Sequence, residues 1–400
     1  MTKDLVKKYL ANFAESECQL LDTFPERQFQ DVLILPAYNE LPDFLDAYIN
    51  GQFHSLLLIL VINQPDTVTD STTQHELYSY VSDNSELLWQ NEHLSLHECQ
   101  DPASAILCIR RYDEGLRLNP KHGVGLARKI AADCALRLVH DMVISSHWIA
   151  STDADASLPD NYFQNLRTAE TTAAITFEYK HEVNQGPVSM ATQRYEQALR
   201  YYQAGLQWAG SPYAFHSLGS CLAFNSYDYA SARGFPKRAG GEDFYLLNKL
   251  AKIGIVSHCD DIQVAIQSRQ SDRVPFGTGP AISKILALDS TDEYRYYDPA
   301  VFVELKSCLD SLNSLKPADE INSWEGAFAP HHFSTLEDFG IGRIFEHQLH
   351  QKFTPESLNP HLHIWFDGLL TLRFIHAMRD LMHPDILLND ALEKSPFSTK

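Results

Sequence analysis

The sequence is short of basic residues. Its 400 residues include 32 lysines and arginines against 52 aspartates and glutamates, so the formal net charge is −20. A broad nucleic-acid interface or a face for anionic membranes needs positive charge, and this balance disfavours both classes of partner. A small anionic ligand needs only local positive charge, so the binding of such a ligand stays open.

Cysteine pairs and long apolar runs are also missing. The seven cysteines are scattered, odd in number and form no C-x-x-C pair, which disfavours a disulfide framework and a structural zinc site. The longest apolar run, 56–62, is too short to cross a bilayer. The N-terminal stretch up to Phe24 has the pattern of an amphipathic helix without the apolar core of a signal peptide. We therefore expect a cytoplasmic protein with no transmembrane segment.

From about residue 31 the sequence alternates between short β-rich runs and helical stretches, which predicts an α/β fold with a mainly parallel sheet flanked by helices. Strands are predicted at 31–38, 55–63, 105–112, 147–152, 173–179, 219–225 and 255–267. Helices are predicted at 123–140, 159–170, 191–209 and 242–254, the last closed by Gly254. We expect an N-terminal helical segment at 1–30, an α/β domain at 31–280 and a mostly helical C-terminal extension at 281–400.

The sharpest chemical signal is the D-x-D triplet Asp153-Ala154-Asp155, directly after the predicted strand 147–152. Ligands of parallel sheets gather at the carboxyl ends of the strands. Two carboxylates one residue apart can hold a hard divalent cation while diphosphate oxygens complete its shell. Such triplets are frequent in loops, where they are usually only solvated, so the triplet needs support from its context.

Three further motifs supply that context. The strand 31–38 leads into the turn PAYNE (36–40), and the helix from Gly123 begins GVGLARK (123–129). Its glycines permit close backbone approach, its N-terminus suits an anion, and its two cations add attraction. Glu242 and Asp243 begin a third helix after two glycines. Acidic residues favour helix N-termini in any case, so this last pair is ambiguous alone.

Together, in this order and spacing, the motifs resemble glycosyltransferase family 2. The quoted segments are LILPAYNE, GVGLARKIAADCAL, ASTDADASLPDNY and GSCLAFNSYDYASARGFPKRAGGEDFYLLNKLAKIG, within residues 30–270. The resemblance implies a GT-A fold, a Rossmann-like, mainly parallel sheet flanked by helices. The acid-pair segment is the most specific part, because strand, loop, paired glycines, acids and helix all match.

The resemblance also implies roles for individual residues. It implies Asp243 as the general base and Glu242 as its neighbour near the acceptor. Asp155 is the implied metal ligand, and Asp153 is implied for both metal and donor. Asn63 stands where the family usually has an aspartate. The implied donor-binding residues are Pro36, Ala37, Tyr38, Glu40, Asn63, Arg128 and Asp153.

One departure concerns the strand after the acid-pair helix. Family members often carry a histidine there, whereas this chain has Gln267 and Arg269. His258 lies earlier, and we expect it to be structural. Arg269 and Arg273, with the glycines at 277 and 279, have the composition of a flexible lid over a diphosphate, although an ordinary turn fits equally well. Arg273 is therefore a further candidate for donor binding.

The implied activity is sugar transfer from a nucleotide-diphosphate donor, a UDP-sugar by family precedent, to an unidentified hydroxyl acceptor. The acceptor class stays open between small molecules, lipid-linked compounds and saccharides. The implied cofactor is Mn²⁺ or Mg²⁺, and inversion at the anomeric carbon is expected. Two alternatives remain: a sugar nucleotidyltransferase and a non-catalytic sugar-nucleotide-binding protein.

The region 282–400 carries many histidines but no interpretable motif. His347 and His350 are spaced to share one face of a helix, which would allow metal binding. No carboxylate–histidine pattern completes such a site, so a solvated or interfacial face is expected. The region also offers a surface for a homodimer.

Overall fold

The computed structural model describes residues 2–164, 166, 172–182, 185–270 and 277–398. The chain divides into two compact units. The first comprises Met1–Asn184 and Ser217–Ala281, and the second comprises Gln185–His216 and Ile282–Lys400. The domain limits predicted at 30 and 280 stay a prediction.

Twelve strands lie in the described residues. They are β1 (Asp31–Ala37), β2 (Leu56–Asn63), β3 (Glu86–Asn91), β4 (Leu94–Glu98), β5 (Ala105–Arg111), β6 (Trp148–Ser151), β7 (Ala156–Ser157), β8 (Thr172–His181), β9 (Leu222–Asn225), β10 (Ile255–Ile266), β11 (Arg295–Tyr296) and β12 (Ile386–Leu387).

Helices separate most of these strands and make up most of the second unit. They are α1 (Thr2–Asn12), α2 (Glu17–Leu20), α3 (Asp46–Ile49), α4 (Thr72–Asp83), α5 (Gly123–His140), α6 (Pro187–Ala209), α7 (Ser226–Ser231), α8 (Glu242–Leu250), α9 (Thr278–Leu286), α10 (Ala300–Ser314), α11 (Asn322–Glu325), α12 (Pro330–Asp338), α13 (Ile341–Gln351), α14 (Pro355–Trp365), α15 (Gly368–Leu381) and α16 (Leu388–Lys394).

The first unit is built on one sheet in the order β3-β4-β5-β2-β1-β6-β9-β8-β10-β7. Its centre, β5-β2-β1-β6, is parallel, and β8 and β10 form a second parallel pair. Every residue of β1 and β2 is buried, as expected for strands covered on both faces. This architecture confirms the predicted α/β class.

The strand order reverses beside β1. The chain moves from β1 to β2 and β5 on one side, then returns through α5 to β6 on the other side. In doubly wound α/β sheets, ligands bind in the crevice at the carboxyl ends of the strands where this reversal occurs. The residues that follow β1 and β6 therefore lie where a ligand is expected to bind.

α5 covers this central part of the sheet. Ala127, Ala131 and Ala135 are fully buried, and such small side chains let the helix approach the strands closely. Alanine also has the highest helix propensity. Arg137 and His140 lie in the last turn, where positive charge favours the helix dipole. The predicted bounds of this helix, 123–140, are confirmed.

The second unit has its own apolar core among mostly helical elements. Tyr201 of α6 and Phe302 of α10 are fully buried, with ring centroids 5.6 Å apart. Gly205 of α6 is needed for this contact, because an added Cβ would lie 2.6 Å from the Phe302 ring. The predicted helical character of the C-terminal region is confirmed, with β11 and β12 as a short antiparallel addition.

Three sequence expectations need correction, and one pair of strands had no counterpart among the predictions. The N-terminal stretch forms two helices, α1 and α2, with a break after Asn12. Of the helix predicted at 159–170, residues 160–164 form turns, and 165 and 167–170 lie outside the described residues. α8 ends at Leu250 with Ala251 as its C-cap. Gly254, which was predicted to close the helix, follows a turn at 251–253. The antiparallel pair β3–β4 was not predicted.

None of the helices in the described part of the chain combines the length and the apolar character needed to cross a membrane.

Candidate active site

The candidate site lies at the carboxyl ends of the central strands. β1 and β2 pair Ala37 with Ile62, and β1 and β6 pair Ile34 with Ser151. Because all three strands are parallel, the residues that follow them come to the same edge of the sheet. The turn after β1, Asn63 at the end of β2, and the D-x-D triplet after β6 are thereby brought to one edge.

Arg128 is the centre of this site. It lies on α5 with 3% of its side chain exposed, and Nε donates to Glu242 Oε1 at 2.9 Å. Nη2 donates to Asp153 Oδ1 at 2.7 Å. Nη1 donates to Ser151 Oγ at 2.7 Å and to the Gly219 carbonyl at 3.2 Å. One buried guanidinium therefore joins the glycine helix, the D-x-D triplet and the acid-pair helix.

The charges around Arg128 compensate for its burial. Burial alone would lower the pKa of this guanidinium, but the carboxylates of Asp153 and Glu242 outweigh that effect and raise the pKa. Glu242 is itself buried, whereas Asp153 is partly exposed. Removing one member of a buried pair leaves an uncompensated charge. The three side chains consequently form one electrostatic unit.

Arg269 forms a second link across the same edge. Its Nη1 and Nη2 donate to the two oxygens of Glu40, both at 2.7 Å, in a bidentate pair. Its Nε donates to Asp155 Oδ2 at 2.8 Å. Burial tends to lower the pKa of Arg269, but the hydrogen bonds to Glu40 and the charge of Asp155 raise it. The sequence left Arg269 open between a lid and an ordinary turn, and the structure holds it between the turn after β1 and the D-x-D triplet.

Asp243 lies next to Glu242 in the first turn of α8. Gly241, with φ +71°, precedes the helix in a left-handed conformation that favours glycine. The Phe244 backbone N–H donates to Asp243 Oδ1 at 2.7 Å. Burial and the neighbouring charge of Glu242 raise the pKa of Asp243 to about 7. A helix N-terminus favours the ionised carboxylate, but desolvation and the second acid outweigh that effect here.

The glycines that begin α5 serve the chain itself. A Cβ on Gly125 would lie 2.6 Å from the carbonyl oxygens of Pro236 and Arg238, and one on Gly123 would lie 2.8 Å from Ala239 Cα. The Gly125 N–H already donates to the Arg238 carbonyl at 3.0 Å. The glycines therefore admit the segment 236–239, which leads to Glu242 and Asp243, and this corrects the expectation of an anion site at this helix N-terminus.

Lys129 is also structural. Its Nζ donates to Asp133 at 2.7 Å and to the hydroxyl of Tyr9 at 2.8 Å. Both Tyr9 and Tyr229 donate to Asp133 Oδ1. Lys129 thus belongs to a buried cluster that fixes α1 and α7 against α5, and only Arg128 of the two predicted cations reaches the acids of the site.

The D-x-D loop fits a divalent cation by the chemistry of its donor set. Carboxylate oxygens are the hard ligands that Mg²⁺ and Mn²⁺ prefer. Oδ1 of Asp153 accepts a hydrogen bond from Arg128, and Oδ2 of Asp155 accepts one from Arg269. One or two carboxylates are the usual protein share when water and substrate phosphates complete the shell. Asp153 and Asp155 would therefore hold a cation jointly with a diphosphate.

Two other groups of potential metal ligands occur among the described residues. Glu178, His258 and Asp260 lie on β8 and β10, and Glu304, His331 and His332 lie in the second unit. His258, expected to be structural, lies 3.3 Å from Glu178 and 3.2 Å from Asp260. The sequence gave no sign of either group, because both combine residues that are distant along the chain.

The remaining predicted residues differ in how they relate to this network. Pro36 and Ala37 end β1, Tyr38 is half-buried just beyond it, and Asn63 is buried at the end of β2. Arg273 lies outside the described residues. Sequence reasoning missed Ser151 and Gly219, both partners of Arg128, since neither belongs to a recognisable motif.

Comparison with known proteins gives only distant structural similarity. No protein-family profile matches the chain, and no curated protein matches it. A mannosyltransferase, PcManGT from Pyrobaculum calidifontis in complex with GDP-Man and Mn²⁺, is 12% identical over 95% of this chain and 99% of its own, with a TM-score of 0.36. GalNAc-T7 with UDP, GalNAc and Mn²⁺ is 11% identical over 79% and 56%, with a TM-score of 0.36. A mycobacterial protein is 12% identical over 71% and 83%, with a TM-score of 0.32. These similarities are too low to assign the chain to a family.

Proposed function

We propose that this chain is a glycosyltransferase that moves a sugar from a nucleotide-diphosphate donor to a hydroxyl acceptor, with Mn²⁺ or Mg²⁺ as cofactor. The observation that carries the proposal is the buried Arg128, which joins Asp153 of the D-x-D triplet to Glu242 of the acid pair. Two acidic motifs far apart in the chain thereby share one site at the strand-order reversal, where α/β folds bind nucleotides.

Donor binding falls to the residues around that reversal. Tyr38, Glu40 and Asn63 would line the nucleotide, and Pro36 and Ala37 would shape the turn beneath it. The ion pair between Arg269 and Glu40 supports a fixed conformation of this turn. A UDP-sugar is the first donor to test, and Arg273 would add a cation near the diphosphate.

The metal and the acids have separate tasks. A divalent cation held by Asp155 and Asp153 would supply Lewis-acid stabilisation of the leaving diphosphate. Asp243 would accept the proton of the acceptor hydroxyl while that oxygen attacks the anomeric carbon. Glu242, held by Arg128, would keep Asp243 in position and raise its pKa toward neutrality, where a general base works best. Attack opposite to the departing diphosphate would invert the anomeric configuration.

The donor site is tested by thermal shift with UDP, GDP, CDP and ADP, each with Mn²⁺, Mg²⁺ or EDTA. Ligand at 100 times its Kd stabilises the native state by about 2.7 kcal/mol. We expect one nucleotide to raise the Tm only with metal, and Asp155→Asn to lose this shift. Asp83→Asn, at an exposed position at the end of α4, is the matched control and should keep it.

The reaction is tested with the identified nucleotide and a panel of its sugar conjugates. Release of the nucleoside diphosphate and an inverted product by NMR are the expected results. A product with retained configuration would remove Asp243 from the role of base. Pyrophosphate release from a nucleoside triphosphate would instead establish a sugar nucleotidyltransferase. Nucleotide binding without any turnover or donor hydrolysis would establish a non-catalytic binding protein.

A further inference from the structure

Three histidines converge on one carboxylate in the second unit, within residues that the proposed transfer does not use. Glu304 lies on α10, His331 and His332 lie in the first turn of α12, and His383 follows α15. His331 Nε2 is 3.2 Å and His332 Nε2 is 2.7 Å from Glu304 Oε2. His383 Nε2 is 3.3 Å from Glu304 Oε1. All three imidazoles therefore present the same nitrogen to one acidic group.

The local fold holds these side chains in place. Pro330 is the first residue of α12, and His331 and His332 follow it directly. Their ring centroids are 4.3 Å apart. The ring of His332 packs against Phe374 of α15 at 5.3 Å. The His383 N–H donates to the Met378 carbonyl at 3.1 Å. The cluster is thus assembled from three separate segments of the unit.

Three ligand atoms, one each from Glu304, His331 and His332, lie within 4.8 Å of one another, close enough to share one Zn²⁺ ion after a small adjustment. Zinc binds imidazole nitrogen and carboxylate oxygen at about 2.0–2.1 Å, so two ligands of a regular tetrahedron lie about 3.3 Å apart. The Nε2 atom of His331 lies 3.2 Å from Oε2 of Glu304, whereas His383 lies against the other carboxylate oxygen, Oε1. His332, at 2.7 Å, needs to move by only about half an ångström to reach this spacing.

We infer that Glu304, His331 and His332 bind a Zn²⁺ ion. A set of two imidazoles and one carboxylate suits zinc, whereas Mg²⁺ and Ca²⁺ prefer oxygen ligands. His332 has 1% of its side chain exposed and anchors the site, whereas His331, at 35%, leaves a path for the ion.

A bound ion would connect α10 and α12, and would stabilise the second unit. The site contains no cysteine, which is why the cysteine pattern of the sequence gave no indication of it. It also differs from the His347–His350 pair, for which the sequence favoured a solvated or interfacial face and whose side chains are exposed on α13. The inference is independent of the proposed sugar transfer.

Metal content of the full chain, produced without a histidine tag, tests the site directly. After dialysis against metal-free buffer we expect about one zinc per chain, and Co²⁺ substitution should give the visible absorption typical of tetrahedral coordination. His331→Ala is the first variant because this side chain is partly exposed and its loss is tolerated best. It should weaken zinc binding by more than the ~10–100-fold that loss of an outer-shell partner costs.

Three further variants define the ligands. His350→Ala removes an exposed histidine of the same unit and should leave zinc content and the Co²⁺ spectrum unchanged. Asp155→Asn should also leave them unchanged, which separates this site from the donor site. Glu304→Gln should lose the ion, and undiminished binding by this variant would overturn the assignment of the carboxylate. A wild-type chain that shows no saturable Zn²⁺ binding beyond that of His331→Ala would overturn the site and leave Glu304 as an acceptor of three hydrogen bonds.

Discussion

Replacing Arg128 by methionine tests whether the buried guanidinium holds the site together. Methionine keeps the helix propensity and much of the side-chain volume, but it has no donor. The variant therefore loses the hydrogen bonds to Glu242, Asp153 and Ser151, which measure 2.9, 2.7 and 2.7 Å. Glu242, with 4% of its side chain exposed, is left as a buried charge without its partner.

The magnitude follows from that burial. Removal of one partner from a buried ion pair costs about 3–5 kcal/mol, mostly because of the uncompensated charge. Arg137→Met provides a matched control, since Arg137 lies on the same helix and pairs with Asp22 and Asp141 at partly exposed positions. Surface pairs of this kind contribute about 0–1 kcal/mol. The two variants should therefore differ by at least about 2 kcal/mol.

Urea unfolding, followed by circular dichroism, measures this difference through the transition midpoint. The double variant Arg128→Met with Glu242→Gln removes the buried charge as well, and should recover at least about half of the loss, as expected when interacting residues are non-additive. The reasoning is refuted if Arg128→Met unfolds at the same midpoint as Arg137→Met. It is also refuted if the two substitutions at 128 and 242 add without any recovery.

Two further substitutions address the base and the packing beside Arg128. Asp243→Asn should keep the fold and lower kcat by about 10²–10⁴. In the wild type, kcat/KM should rise as the pH increases through about 7, where Asp243 loses its proton, and should stay constant at higher pH. The folded-state pKa of Asp243 exceeds its ordinary value of 3.8, so its contribution to stability falls as the pH rises from about 4 to about 7. Asp243→Asn should remove this pH dependence of stability. A wild-type rate that does not change between pH 6 and 8 would contradict the assignment of Asp243 as the base. Gly219→Ala should cost about 1–3 kcal/mol, because the added Cβ would lie 2.7 Å from Cζ of Arg128, and should weaken donor binding. The control is Gly342→Ala on α13, where an added Cβ meets nothing within 4 Å, and equal stability of the two alanine variants would argue against a packed Arg128.

Local patterns predicted the central elements well. The unbroken apolar runs predicted β1 and β2, and the alanine-rich stripe predicted α5 with its bounds. These predictions succeed because the burial of each element is visible as a local pattern of apolar residues. The hairpin β3–β4 escaped prediction for the opposite reason. β3 is largely exposed, and the turn contains Glu92 at φ +50° in place of an Asn-Gly pair.

The sequence indicated which types of residue belong to the candidate site, but not which of these residues contact one another. The D-x-D triplet and the acid pair carry their chemistry in adjacent residues. The ion pair between Arg128 and Glu242 spans 114 positions, and no local pattern encodes which cation meets which acid. Gly125 illustrates the same limit, since its lack of a side chain serves the carbonyls of the segment 236–239 rather than a ligand.

The balance of charge in the site gives a physical reason for the proposed metal dependence. Two guanidinium groups, Arg128 and Arg269, face five carboxyl groups, so the described residues of the site are formally three charges negative when all are ionised. The five acids are Glu40, Asp153, Asp155, Glu242 and Asp243. A nucleotide diphosphate adds more negative charge in a partly buried place, where repulsion is stronger than in water. Protonation of Asp243 removes only one charge, and that proton is the one the base must lose before it acts. A divalent cation bound with the donor offsets the repulsion without neutralising the base, and on these charges alone the nucleotide should bind poorly in EDTA and well in Mn²⁺ or Mg²⁺.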